Sequence, residues 1–215
     1  MQGTPSPAIV YIVPYLEAAG TERHLLHLVQ ALHRDHRIGL LAPPGPLLPE
    51  FERLGVEHRS FPRLETGFRE GIAAFRRGLQ ELLALLRPGL IHVHAGAELA
   101  VLARTVTRSV PLVLTIHGFH GKQAEANYRL AAWLARLARA RRVIAVSQAE
   151  ARLLETGGLR PPRLVVIPNG IPDPAEPPID WRRELGWPAG APVIGAVGAW
   201  NRQKVSMCSS KPLAG

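Results

Sequence analysis

The sequence predicts an α/β fold, a Rossmann-like doubly wound parallel sheet, on three observations. Short aliphatic and β-branched runs alternate with longer stretches of helical period along most of the chain. Those runs are apolar nearly throughout rather than at every second position, the mark of strands buried on both faces. Hydrophobic residues make up 47% of the 215 and charged residues 20%, enough apolar surface for a sizeable core and too much for a disordered chain.

Each element follows from its own pattern. Residues 8–13 (AIVYIV) read as a buried strand, and 21–33 as a helix with Leu25, Leu28, Val29 and Leu32 on one face. A strand at 38–42 precedes a short helix over 46–54, stopped by Gly55, and 56–61 reads as a third strand. A long amphipathic helix over 72–87 closes at Pro88-Gly89, before a strand at 90–94 and a helix over 98–108. Pro111 introduces the strand 112–116; a helix is expected over 125–142, and a strand over 143–146. Ser147 has the chemistry of an N-cap for the helix 148–155, and 164–167 is the last strand of the series.

Composition then changes. Five prolines between 168 and 178 mark an extended linker, 181–185 suits one or two helical turns, and 192–197 (PVIGAV) resembles the opening strand of another α/β unit. The expected organisation is a Rossmann-like domain over 1–170, a Pro-rich linker over 171–190, and the start of a second domain over 191–204.

Composition also excludes function classes. One cysteine, Cys208, rules out an internal disulfide framework, and no apolar run reaches the roughly 18 residues of a membrane span. The N-terminus lacks a basic region before its apolar run, so a secretory signal is not expected and a cytoplasmic protein is. The net charge is +9, with 23 of the 26 cations arginine. Codon bias toward arginine accounts for that, as does attraction to a nucleotide or an acidic lipid surface. The clusters at Arg76-Arg77, 136–142 and Arg182-Arg183 form no aromatic-studded stripe, so nucleic acid is not an expected partner.

Ligands of an open parallel sheet bind beyond the carboxyl ends of its strands, and that rule selects the candidate site residues. Gly20 and Thr21 follow the first strand, where a glycine admits a ligand to the backbone and a helix N-terminus offers amides to a phosphate or hydroxyl. An ordinary strand-to-helix turn, with Glu22 complementing the helix dipole, reads the same residues equally simply. His92 and His94 share one face of a strand, His92 as a core residue and His94 at the strand end; no aspartate lies beside them to complete a metal site, and none is expected. His117 ends the strand 112–116 and precedes Gly118, so its imidazole can bind a hydroxyl or phosphate, or simply cap the strand. Ser147 lacks the surroundings of a hydrolase nucleophile, and no Walker loop is present.

Taken in order, these segments resemble retaining glycosyltransferase family 4, the group 1 glycosyltransferases. Gly20-Thr21-Glu22-Arg23 resembles the family's first glycine-rich turn, Ile91-His92-Val93-His94 its VHxH strand and Thr115-Ile116-His117-Gly118 its T-x-H-G element. Val143-Ile144-Ala145-Val146-Ser147 and Val166-Ile167-Pro168-Asn169-Gly170-Ile171 are similar to two further segments, and the likeness covers about residues 8–204. It implies the N-terminal half of a B-type glycosyltransferase fold: two Rossmann-like domains across a cleft, this one mostly holding the acceptor. It implies that Gly20 and Thr21 lie against the donor phosphates or sugar and that His117 contacts the transferred sugar. His94, Gly118, Ser147, Asn169 and Gly170 would line the substrate cleft. Lys204 would neutralise the leaving diphosphate, with Arg202 in place of a family arginine whose position holds Ala199. No metal cofactor is implied. The partners implied are a nucleotide-sugar donor and a glycan, lipid-linked or small-molecule acceptor.

The tail departs from the family. Residues 205–215 have no helical period, yet codons for 205–212 read one nucleotide out of frame, behind a restored G, can encode the glycine and apolar helix expected after the lysine. They are expected to be a frameshifted tail, and the chain a truncated, inactive N-terminal part of a transferase. The alternative is a non-catalytic module binding an anionic sugar phosphate or glycolipid, in peripheral contact with the inner membrane face. A dehydrogenase or epimerase is disfavoured by the missing glycine fingerprint and the missing ribose-binding acid after the second strand.

Overall fold

The computed structural model describes residues 6–119, 123–171, 179–188 and 190. The chain divides into two compact units, Met1–Pro172 and Asp173–Gly215.

In the first unit seven strands form one parallel sheet: β1 (Ile9–Ile12), β2 (Ile38–Leu41), β3 (Glu57–Arg59), β4 (Leu90–His94), β5 (Leu112–Ile116), β6 (Arg142–Ala145) and β7 (Leu164–Val166). Their order is β3-β2-β1-β4-β5-β6-β7, which reverses direction between β1 and β4. Ile9 therefore pairs with Ile38 on one side and Leu90 on the other. The crossovers carry α1 (Gly20–Leu32), α2 (Leu48–Arg53), α3 (Phe68–Leu86), α4 (Ala97–Val106), α5 (Ala124–Leu137) and α6 (Gln148–Thr156). This is the expected α/β Rossmann-like, doubly wound parallel sheet.

Alternation along β1 shows how the sheet is wound. Val10 and Ile12 pack with Phe75, Leu79 and Leu82 of α3 and with the alanine-rich faces of α4 and α5. Ile9, Tyr11 and Val13 pack instead with Leu25, Leu26 and Val29 of α1 and Phe51 of α2. On the α1 side, Val113, Ile144 and Val165 of β5, β6 and β7 are only half-buried.

Several boundaries differ from the sequence reading. The helix expected over 72–87 begins four residues earlier, at Phe68. The helix expected over 125–142 ends at Leu137, because Arg139 turns left-handed (φ 48°) and Ala140 N–H donates back to Ala135 O at 2.9 Å. That bond satisfies a last-turn carbonyl and releases the chain into β6. β3, expected over 56–61, keeps only three residues.

In the second unit, within the expected linker 171–190, α7 (Trp181–Glu184) is preceded by Asp180, whose Oδ1 accepts the amides of Arg182 and Arg183 at 3.1 and 3.3 Å. The expected second-domain start at 191–204 and the tail at 205–215 lie outside the described residues. Among the described residues no helix is long and apolar enough to cross a membrane.

Candidate functional site

The reversal between β1 and β4 leaves a crevice beyond the carboxyl ends of the strands, where helices depart to opposite faces. A cavity of about 350 Å³ occupies it, lined among others by Tyr15, Thr21, Glu22, Gly96, Glu98 and Phe119. These come from the segments following β1, β4 and β5.

The backbone at this end of the sheet is held in uncommon conformations. Ala95 and Gly96, directly after β4, are both left-handed (φ 54° and 59°). An alanine in that region costs about 1 kcal/mol or more and persists because the packing on either side imposes it. Gly118, after β5, has φ 109°, and a Cβ there would meet Glu150 Oε1 at 2.5 Å. The next amide, of Phe119, donates to the Tyr128 hydroxyl at 3.2 Å. The segment after β1 is tied down from outside: Tyr15 O–H donates to Glu65, and Arg63 donates to Glu17 with its guanidinium over the Tyr15 ring.

Histidines converge beside this crevice. Leu90–His94 alternates faces, so His92 and His94 point together toward α1, with ring centroids 4.2 Å apart. His92 Nε2 is 2.8 Å from Thr115 Oγ1, which satisfies it inside the core. His94, fully buried, has Nδ1 3.2 Å from His117 Nε2 across the β4–β5 pair, a hydrogen bond in which one ring donates and the other accepts. Among the described residues His94 Nε2 has no partner. His24, one turn into α1 from Gly20, brings its ring within 5.1 Å of His117 and 5.7 Å of His94.

Burial dominates the electrostatics. It lowers His92 to about 3 and His117 to about 4, holds His94 well below the usual imidazole value, and lowers His24, with neighbouring histidines adding to each. At neutral pH the cluster is a set of uncharged imidazoles, of which His94 and His117 share a hydrogen bond. Ring nitrogens of His24, His94 and His117 lie within 4.8 Å of one another, a spacing a borderline cation accepts, but the His94–His117 hydrogen bond pairs two of them directly. Glu22 is buried, its Oε2 without a partner among the described residues, and burial, with Glu17 nearby, raises its pKa.

The sequence candidates fall into two groups. Gly20, Thr21, His94, His117 and Gly118 gather at the carboxyl ends of β1, β4 and β5. Gly20 opens α1, is exposed, and has nothing within 4 Å of where its Cβ would stand. Ser147 follows β6 and caps α6, its Oγ accepting the Glu150 amide at 3.2 Å. Asn169 and Gly170 are exposed beyond edge strand β7, about 14 Å across the sheet from β4 at ordinary strand spacing. Arg202 and Lys204 lie outside the described residues.

Sequence reasoning missed His24 and gave Glu22 only a dipole role. A faint signal existed: His24 stands four residues after Gly20, the spacing that stacks side chains along one helix face toward the cleft.

Comparison with solved structures finds the same fold elsewhere. HepE (Alr3699) of Anabaena, solved in complex with UDP and glucose, superposes with a TM-score of 0.57 at 22% identity over 77% of this chain and 45% of its own. A glycosyltransferase from Rickettsia africae superposes with a TM-score of 0.62 at 19% identity, over 87% of this chain and 52% of its own. The UDP-GlcNAc 2-epimerase of Neisseria meningitidis reaches 0.51 at 12% identity, over 75% and 47%, so the fold by itself does not select a reaction. The chain thus spans about half the length of the solved structures it matches. Comparison with curated proteins gives no match. The sequence profile of Glycosyltransferase Family 4 matches residues 18–173, from just before α1 through β7, and the chain belongs to that family.

Proposed function

We propose that the chain is the acceptor-side half of a retaining glycosyltransferase that moves a sugar from a nucleotide-sugar donor to a glycan, lipid-linked or small-molecule acceptor in the cytoplasm. The observation that carries the proposal is the convergence of Gly20, the start of α1, His94 and His117 at the strand-order reversal of a Glycosyltransferase Family 4 domain.

In the reaction the bond from the sugar's anomeric carbon to the diphosphate oxygen breaks and a bond to the acceptor oxygen forms. The nucleoside diphosphate leaves, and the acceptor gives up its hydroxyl proton. Gly20 leaves room for a phosphate against the first amides of α1, where the helix dipole favours negative charge. His117, uncharged at neutral pH, holds a sugar hydroxyl by hydrogen bonding and is not an acid catalyst. His94, buried behind it, sets which His117 nitrogen carries the proton and is a positioning residue. Glu22, whose pKa burial raises, faces the same cavity, where its carboxyl can hydrogen-bond a substrate hydroxyl. Lys204 and Arg202 neutralise the leaving diphosphate in this reading, so no metal is required for that role.

Donor affinity and leaving-group stabilisation need both sides of a cleft, so the 215-residue chain alone is expected to bind nucleotide-sugars weakly and not turn them over. Titration with UDP-glucose and GDP-mannose, followed through His117 ring resonances and the Gly20 amide, tests this. Saturable shifts at about millimolar donor, with those of the Gly20 amide lost in His117→Ala, are expected. Unmoved signals with both donors, or turnover by the lone chain at about 10 per second, would overturn the reading.

A further inference from the structure

A second cavity, of about 680 Å³, lies not in the crevice but at the opposite end of the sheet, where β5, β6 and β7 begin. Its wall is assembled from four places in the chain. Arg104 and Arg108 come from α4 and the turn after it, and Arg136 and Arg139 from the end of α5. Arg141 and Arg142 open β6, while Arg160 and Arg163 precede β7. No aspartate or glutamate is among the lining residues.

This charge is not neutralised locally. The ion pairs among the described residues, Arg59–Glu81 and Arg63–Glu17, involve none of these arginines. The groove's guanidinium groups that are bonded rest on carbonyls: Arg104 donates to Ala138 O at 2.8 Å and Val110 O at 2.7 Å, and Arg142 to Arg141 O at 2.9 Å. Carbonyls orient a guanidinium without cancelling its charge. Arg104 shows the cost, since burial and then the charge of Arg139 lower its pKa. Uniform arginine bias would scatter these residues over the surface. Here a third of the chain's 23 arginines share one concave wall.

Convergent guanidinium forks in a concave site match phosphate oxygens, which accept two parallel hydrogen bonds from each fork. We propose that the groove is a binding site for a ligand presenting two or more phosphate groups together, either a soluble oligophosphate or clustered acidic lipid headgroups. The site is independent of the transfer chemistry: β5 alone separates its rim at Pro111 from His117 by about 16–20 Å at the rise of a strand. Beside it, Leu137 is half-exposed among Arg104, Arg108 and Arg139, and continues a stripe with exposed Trp133 and Leu130 on α5. An apolar stripe next to a cationic groove suits the lipid source; a soluble anion needs only the groove.

Calorimetric titration of the full chain with sodium tripolyphosphate tests the shared chemistry. A triple variant, Arg108→Gln with Arg136→Gln and Arg163→Gln, removes groove side chains that make no hydrogen bond among the described residues. A control triple on α2 and α3, Arg53→Gln with Arg76→Gln and Arg77→Gln, removes the same charge elsewhere. The groove triple is expected to weaken binding about tenfold or more and the control less than about twofold, with salt weakening the wild type. Co-sedimentation with phosphatidylglycerol-containing vesicles separates the sources. Vesicle binding displaced by tripolyphosphate assigns the lipid headgroup; tripolyphosphate binding without vesicle binding assigns a soluble anion. Binding of neither probe, or equal weakening by both triples, overturns the site.

Discussion

Gly20 and Gly118 both follow strands at the carboxyl end of the sheet, and they are glycine for different reasons. Gly118 has φ 109°, a conformation that strains any side chain, while Glu150 Oε1, 2.5 Å from its Cβ position, ends a flexible side chain that can shift. Gly118→Ala is expected to destabilise the fold by about 1–3 kcal/mol in denaturant melts. Nothing crowds Gly20, so Gly20→Ala is expected to leave stability within about 0.5 kcal/mol of wild type. The same methyl would stand where the proposal puts the donor phosphates, and donor-induced shifts of His117 should then need about tenfold more UDP-glucose. A Gly20→Ala chain with unchanged donor response would move the phosphates elsewhere. Both glycines stood out in the sequence because each follows a strand; their different constraints lie in the left-handed φ of Gly118 and the open space around Gly20, which only the folded backbone shows.

At the scale of elements, Ser147 offered two roles, a cap and a cleft residue. Its Oγ accepts the Glu150 amide at 3.2 Å, which accounts for the serine through α6 alone. Ser147→Ala is expected to cost about 1 kcal/mol and Ser147→Asp to restore most of it. Neither should alter donor-induced shifts at His117; altered shifts with unchanged stability would return Ser147 to the cleft. Strands were read closely because a parallel strand buried on both faces leaves an uninterrupted apolar run. Helix ends were read less well. The stop at Leu137 depends on a left-handed Arg139, and arginine carries no sequence signal for that conformation. The pairing of His92 with His94 followed from strand alternation, whereas the partner that satisfies His92 lies on the neighbouring strand and appears only in the register His92↔Val113, His94↔Thr115.

The whole molecule couples the histidine cluster to stability. His92 titrates near 3, His117 near 4 and His94 well below its ordinary value, all chiefly because burial disfavours the charged ring. In the unfolded chain these rings take up protons as the pH falls through about 6.5. Below that value the unfolded state binds more protons than the native one, so stability rises with pH there. The contribution is fully present above about pH 6.5 and is lost progressively as the pH falls toward the folded values. The thermal midpoint is expected to drop between pH 6.5 and 4, each buried histidine adding up to about 1.4 kcal/mol per pH unit. His92→Gln should flatten part of that slope. A midpoint independent of pH over this interval would show the rings to be solvated or charge-paired in the native state.

What the sequence determined by itself was periodic or covalent: the strand and helix alternation, the parallel sheet, the glycines after strands, and the ordered segments of a glycosyltransferase family. Each is written in nearest neighbours or in residues one helical turn apart, and local propensity preserves it. The tertiary structure decided what depends on several distant segments meeting. His24, His94 and His117 are 70 and 23 residues apart in sequence and meet because the strand order reverses between β1 and β4. Arginines scattered from 104 to 163 become one cationic groove because β5, β6 and β7 begin side by side. Burial then changes what these groups are, since the same imidazole is half-charged in water near pH 6.5 and neutral inside the fold. Proximity and dielectric belong to the folded chain, and a linear pattern encodes neither.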